Sequence, residues 1–81
     1  MRNLKVYTSP TCQPCKMLYK VLKHVDIPVE VIDISQSTGV VKQENLKGVP
    51  TLDLLDASGE LLKRHVGFMN EEQLVGFIRS T

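Results

Sequence analysis

The sequence predicts an α/β fold of seven elements in the order βαβαββα, a four-stranded mixed sheet flanked by helices. Three observations carry this reading. Two β-rich segments bracket one segment of clear helical period, which calls for a crossover and so for a parallel strand pair. Two further β-rich segments are separated by Asp56-Ala57-Ser58-Gly59, a loop of hairpin length and composition. Near the end of the chain, Asn70 with Gln73 three residues on makes a helix-start signature. Eighty-one residues leave room for one domain, residues 1–81, with one core. At 42% hydrophobic and 23% charged, the composition is that of a folding chain and not of a disordered one.

Taken in order, Leu4-Lys5-Val6-Tyr7-Thr8 alternates, carries β-favouring residues and stops at Ser9-Pro10, which makes it the first strand. From Cys12 to Val25 the apolar residues Met17, Leu18, Val21, Leu22 and Val25 recur at helical spacing. Lys20, Lys23 and His24 fall toward the end, where positive charge suits the helix dipole. Val29 to Ile34 is rich in β-branched residues and forms the second strand. A second helix is expected between Ser35 and Asn45. Ser and Thr, Thr38 among them, are its capping candidates, although Gly39 costs roughly 1 kcal/mol against Ala in a helix interior. Thr51–Leu55 and Glu60–Val66 then form the hairpin, and the helix after Asn70 is amphipathic, with Leu74, Val75, Phe77 and Ile78 as its apolar residues.

Ten Lys+Arg against nine Asp+Glu leave a net charge of +1, with the basic residues spread along the chain, so nothing calls for nucleic acid. No apolar run approaches the ~20 residues of a membrane span, and Met1-Arg2-Asn3-Leu4-Lys5 is no signal segment. The expected location is therefore the cytoplasm.

The two cysteines carry the chemistry. Cys12-Gln13-Pro14-Cys15 lies where the first strand passes into the first helix, so Cys12 meets unpaired backbone N–H groups and the positive end of the helix dipole. That position and Lys16 favour a thiolate, the only form that attacks. Two intervening residues let the second sulfur reach the first, so Cys15 can resolve a mixed disulfide formed on Cys12. A zinc site fits less well, because His24 and His65 lack finger spacing. An inert structural disulfide would close too short a loop to constrain the unfolded chain much.

Cys12-Gln13-Pro14-Cys15-Lys16, Val49-Pro50-Thr51 and Val66-Gly67-Phe68 together resemble the thioredoxin/glutaredoxin superfamily over the whole chain, in the short form of glutaredoxins and NrdH-redoxins. The resemblance implies a minimal thioredoxin fold, a cis Pro50, and a substrate surface of Thr11, Pro14, Val49, Pro50 and Gly67 around the catalytic Cys12 and Cys15. At Val49 an extended client strand would pair through its main chain. The residues by which glutaredoxins grip glutathione are absent: Ser9, Gly48-Val49-Pro50 and Val66-Gly67-Phe68-Met69-Asn70 occupy those places. Pro14 and Thr51 are instead as in thioredoxins, although Thr11 replaces their Trp and Val6 their buried Asp. The resemblance therefore implies a monomeric protein-disulfide reductase without bound cofactor or metal. It would be recycled by an NADPH-dependent thioredoxin reductase and would serve disulfide-containing clients such as a ribonucleotide reductase. A glutathione-linked glutaredoxin and a non-catalytic adaptor are the alternatives.

Other residues take structural readings. Tyr7 fits either the rim of the site or strand packing, and Met17, Tyr19 and the Leu18/Leu22 stripe belong to core or helix surface. His24 and His65 receive no catalytic role, Glu71 and Glu72 suit the start of the last helix, and Phe68-Met69 is a candidate partner contact. Asp53 is the one acidic residue in an apolar strand. If Thr51–Leu55 runs antiparallel to the first strand with Tyr7 opposite Thr51, Lys5 falls opposite Asp53 and the two can pair on one face. Otherwise Asp53 is solvated.

Overall fold

The computed structural model describes residues 2–37 and 39–79. The elements are β1 (Asn3–Thr8), α1 (Gln13–Leu22), β2 (Val29–Asp33), α2 (Val40–Gln43), β3 (Thr51–Leu55), β4 (Leu61–Val66) and α3 (Glu71–Arg79). The sheet order is β2-β1-β3-β4, with β1 parallel to β2 and antiparallel to β3, and β4 antiparallel to β3. This is the expected mixed sheet.

Alternation along the strands divides the sheet into two unlike faces. Leu4, Val6, Leu52 and Leu54 point to one face and form the core with Leu18 and Leu22 of α1, Met69, and Leu74 and Phe77 of α3. His65 and Lys63 of β4 join that face through Phe77, His65 by an edge contact at 6.2 Å and Lys63 with its ammonium 5.3 Å from the ring centroid. Asn70 closes the start of α3 reciprocally with Gln73, its N–H donating to Gln73 Oε1 at 3.0 Å while the Gln73 N–H donates to Asn70 Oδ1 at 2.8 Å.

The opposite face is polar. Tyr7 stands opposite Thr51 and Lys5 opposite Asp53, so the expected register holds. The expected Lys5–Asp53 pair does not form, and Asp53 is not solvated either: it is 2% exposed. Arg64, directly across from Asp53 on β4, takes the carboxylate with both arms of its guanidinium, Nε to Oδ1 at 2.7 Å and Nη2 to Oδ2 at 2.8 Å. A planar two-donor fork fits a carboxylate better than a single ammonium does, and Lys5 instead lies 5.8 Å from the Tyr7 ring centroid. Arg64 Nη1 also donates to the backbone oxygen of Glu44 at 2.7 Å, which ties the end of α2 to the sheet. The hydrogen-bonded partner Asp53 raises the Arg64 pKa further above its ordinary value.

Tyr7 is buried in this layer, which settles its two readings in favour of packing. Burial pushes its phenol above the ordinary value, with Lys5 opposing. A phenol that keeps its proton longer in the folded chain contributes stability that is complete below pH about 10 and is lost as pH rises through the folded value. Urea unfolding followed into that alkaline range should show a steeper loss for the wild type than for Tyr7→Phe.

Two helices are shorter than the sequence suggests. α1 ends at Leu22, and the chain tightens through His24 N–H to Val21 O and Val25 N–H to Leu22 O. The second helix keeps only Val40–Gln43 of the expected Ser35–Asn45. Asp33 Oδ1 captures the Ser35 backbone N–H and hydroxyl, a local turn that competes with helix, and Gly39 takes φ +94°, which a helix cannot continue through. The capping candidate Thr38 lies outside the described residues.

Candidate functional site

The register brings three loops to one edge of the sheet. β1 ends at Thr8 and leads through Ser9 to Cys12; Thr51 pairs with Tyr7 and with Val66, so Val49-Pro50 and Gly67 emerge at that same edge. Cys12 is the N-cap of α1, with extended backbone at φ −85° and ψ 110°. Ser9 O accepts the Cys12 N–H at 3.1 Å, which fixes the turn that delivers it.

Cys12 and Cys15 are joined as a disulfide with their Cα atoms 5.2 Å apart. The Cys15 N–H, 3.1 Å from Cys12 Sγ, is aimed at that sulfur. Pro14 lies in the first turn, where a missing N–H costs nothing, and it leaves the Cys15 amide as a donor to the sulfur. The two cysteines differ in access: Cys12 is half-buried, while Cys15 is fully buried one turn inside. An arriving sulfur therefore reaches Cys12 first.

The remaining predicted residues differ in exposure. Thr11 and Pro14 are exposed, Val49 and Gly67 half-buried, and Pro50 buried. The Val49-Pro50 peptide bond is cis, as the resemblance implied. Gly67, at φ +111° where a side chain would be strained, donates its N–H to Pro50 O at 2.8 Å and links those two loops. Beside Val49 lies an apolar cavity of about 160 Å³ lined by Ile34, Val41, Leu46, Lys47, Gly48 and Val49. Phe68 is exposed close to Gly67, whereas Met69 is buried in the core, so the two do not act as one contact surface.

Several supporting groups go beyond the sequence-based expectations. The Thr51 hydroxyl donates to Gly48 O at 2.6 Å and braces the turn before Pro50. The Tyr19 hydroxyl donates to Thr8 Oγ1 at 2.9 Å, linking α1 to the end of β1. Tyr19 follows Cys15 by four residues, a spacing that could have placed it on the same helix face. Contrary to the expectation that the basic residues are spread along the chain, three of them gather into a row, Lys16 and Lys20 on the exposed side of α1 and Lys23 at its C-cap. Among the described residues, no group of three or more His, Cys, Asp or Glu side chains is placed to hold a metal ion.

Comparison with known proteins agrees with this geometry. Residues 4–52 match the glutaredoxin family model. The chain is 39% identical over 72 residues to the SPbeta prophage-derived thioredoxin-like protein YosR of Bacillus subtilis (strain 168), covering 89% of each. It is 30% identical to thioredoxin of the same organism, over 84% of this chain and 70% of that one. Among solved structures, a mutant thioredoxin from Halobacterium salinarum NRC-1 superposes with a TM-score of 0.84 at 31% identity, over 98% of this chain and 73% of that one. With the fold, the cysteine pair at a helix start and these likenesses in agreement, the chain belongs to the thioredoxin/glutaredoxin superfamily of redox proteins.

Proposed function

We propose that the protein reduces disulfides in client proteins, with Cys12 as the attacking sulfur and Cys15 as the resolving one. The contrast in access between the two cysteines is the observation that supports these roles. The Cys12 thiolate attacks one sulfur of the client disulfide, forming a mixed disulfide and releasing the other sulfur as a thiolate that takes up a proton. Cys15 then gives up its proton and attacks Cys12 Sγ, so the Cys12–Cys15 disulfide forms and the second client thiol leaves. Two electrons pass to the client. The Cys15 amide and the helix start stabilise the Cys12 thiolate in the first step.

The Val49 backbone offers the client an extended pairing edge, and Thr11, Pro14, Pro50 and Gly67 frame it. Pro14 and Thr51, together with the thioredoxin-like relatives, support an NADPH-dependent thioredoxin reductase as the electron source in a reducing cytoplasm. A ribonucleotide reductase is the client that the resemblance favours. The glutaredoxin match over residues 4–52 favours a second reading, in which glutathione supplies the electrons. Insulin reduction coupled either to thioredoxin reductase with NADPH or to glutathione with its reductase separates the two. The first reading expects turnover with thioredoxin reductase alone, and turnover with glutathione alone would replace it.

The roles also predict an order of modification. Alkylation of the reduced protein near neutral pH should label Cys12 before Cys15, as read by peptide mass. Lys16→Glu places a negative charge beside the thiolate and should slow that labelling severalfold. Preferential labelling of Cys15 would reverse the roles.

A further inference from the structure

The charges of this chain are divided sharply between two segments. Residues 1–25 hold Arg2, Lys5, Lys16, Lys20 and Lys23 and no acidic residue, a net of +5. Residues 26–81 hold the other five Lys+Arg and all nine Asp+Glu, so 5 − 9 gives −4, and the two segments sum to the chain's +1. Arg2 donates to Ile78 O and Lys5 lies over Tyr7, so both serve the fold. Lys16, Lys20 and Lys23 remain, at helical spacings of four and three that put Lys16 and Lys20 on one side of α1 and Lys23, its C-cap, in line with them, and all three are exposed. Among the described residues, ion pairs form between Arg64 and Asp53 or Glu44 and involve none of these lysines.

This row has a cost and no return within the molecule. Like charges four apart on a helix are mutually destabilising, and Lys16 sits near the positive end of the helix dipole. The row is about 10 Å long by helical rise and starts at the residue after Cys15. Its near end is within about one Debye length of the cysteine pair at physiological ionic strength. Any protein whose disulfide reaches Cys12 therefore lies within the field of the lysines.

We propose that the outer face of α1 is a docking surface for protein partners that carry acidic side chains beside their reactive disulfide. The proposal rests on the redox reading of Cys12 and adds the charge class of the partner. Two features favour an acidic protein over a membrane or a nucleic acid. The opposite side of α1 holds Leu18 and Leu22 in the core, and the apolar residues that α1 does expose, Met17 and Tyr19, lie on opposite flanks of the lysine row, so the helix has no continuous apolar stripe to give to a bilayer. The net −4 of the rest of the chain would repel a long polyanion while leaving a local acidic patch free to dock.

The test compares two disulfide-bridged peptides, one flanked by aspartates and one by serines, together with neutral hydroxyethyl disulfide. Lys16 is left intact and Lys20→Glu/Lys23→Glu is compared with wild type, with Lys20→Gln/Lys23→Gln as a milder form. At about 0.02 M salt the wild type should reduce the acidic peptide roughly tenfold faster than the serine peptide in kcat/KM, and at about 0.5 M salt the preference should vanish. The Glu variant should lose or invert the preference, the Gln variant should fall between, and both should keep the wild-type rate on hydroxyethyl disulfide. Equal rates on the two peptides at low salt, or a preference that survives high salt or the Glu variant, would overturn the proposal alone. Failure of the wild type on all three disulfides would overturn the redox reading and the proposal with it. Binding to anionic vesicles or duplex DNA near physiological salt, with no peptide preference, would overturn it in favour of those partners.

Discussion

Cys12→Ser is expected to remove disulfide reduction almost completely, by about three orders of magnitude or more, because the step needs a thiolate and the hydroxyl left behind is a far weaker nucleophile at neutral pH. The fold should survive. Cys12 is half-buried at the N-cap, and serine is a favoured N-cap residue that can accept the Cys15 N–H as the sulfur does. Circular dichroism and thermal unfolding of the variant should therefore match the reduced wild type. Equal loss of structure and activity would leave the cysteine with a stabilising role only, while retained client function in a folded variant would support the adaptor reading.

Arg64→Met is expected to cost about 3 kcal/mol, the low end of the range for breaking a buried ion pair. The low end applies because the Asp53 side chain is 3% exposed but that of Arg64 is 25% exposed, so water can reach part of the site. For a domain of this size that loss corresponds to a fall in Tm of roughly 12–24 °C. The double variant Asp53→Leu/Arg64→Met removes both charges and should recover most of the loss, since an apolar pair of similar volume packs without a desolvation penalty. Scanning calorimetry of the wild type and the single and double variants measures this. The double variant still lacks the tie from Arg64 to Glu44 O, so the segment from α2 to Pro50 should exchange its amide hydrogens faster than in the wild type.

The sheet is legible in the sequence because its signals are local and repetitive. Alternation in Leu4–Thr8 and Thr51–Leu55, joined to the position of Pro50, is enough to set Tyr7 opposite Thr51. The capping signature of Asn70 and Gln73 needs only two residues at the right spacing. Asp53 shows where such reasoning stops: its cross-strand neighbour on β1 follows from the register, but its neighbour on β4 does not. A half-buried edge strand with Lys63, Arg64 and His65 in succession gives no clear phase from its apolar residues, and only the pairing of Asp53 with Arg64 shows which of the three faces the carboxylate.

The second helix is shorter than its pattern for a different reason. Val40, Val41 and Glu44 have helical spacing, but the backbone at Gly39 and the turn held by Asp33 outweigh it. At the site, the cysteine pair and the Pro50 loop are legible from spacing and resemblance, while the bracing by Thr51 and Tyr19 depends on tertiary contacts that one sequence does not display. The lysine row escapes a linear reading because residues separated along the chain by three and four positions fall on one side of a helix.

Whether Cys12 attacks and Cys15 resolves is tested most directly by trapping the intermediate. Reduced Cys15→Ser and Cys12→Ser proteins are each mixed with a disulfide client such as insulin, and the products are read by intact mass under non-reducing conditions. The Cys15→Ser protein should accumulate a mixed disulfide through Cys12, stable until a small thiol is added, and the Cys12→Ser protein should accumulate almost none. A mixed disulfide formed faster on Cys15 of the Cys12→Ser protein than on Cys12 of the Cys15→Ser protein would contradict the assignment.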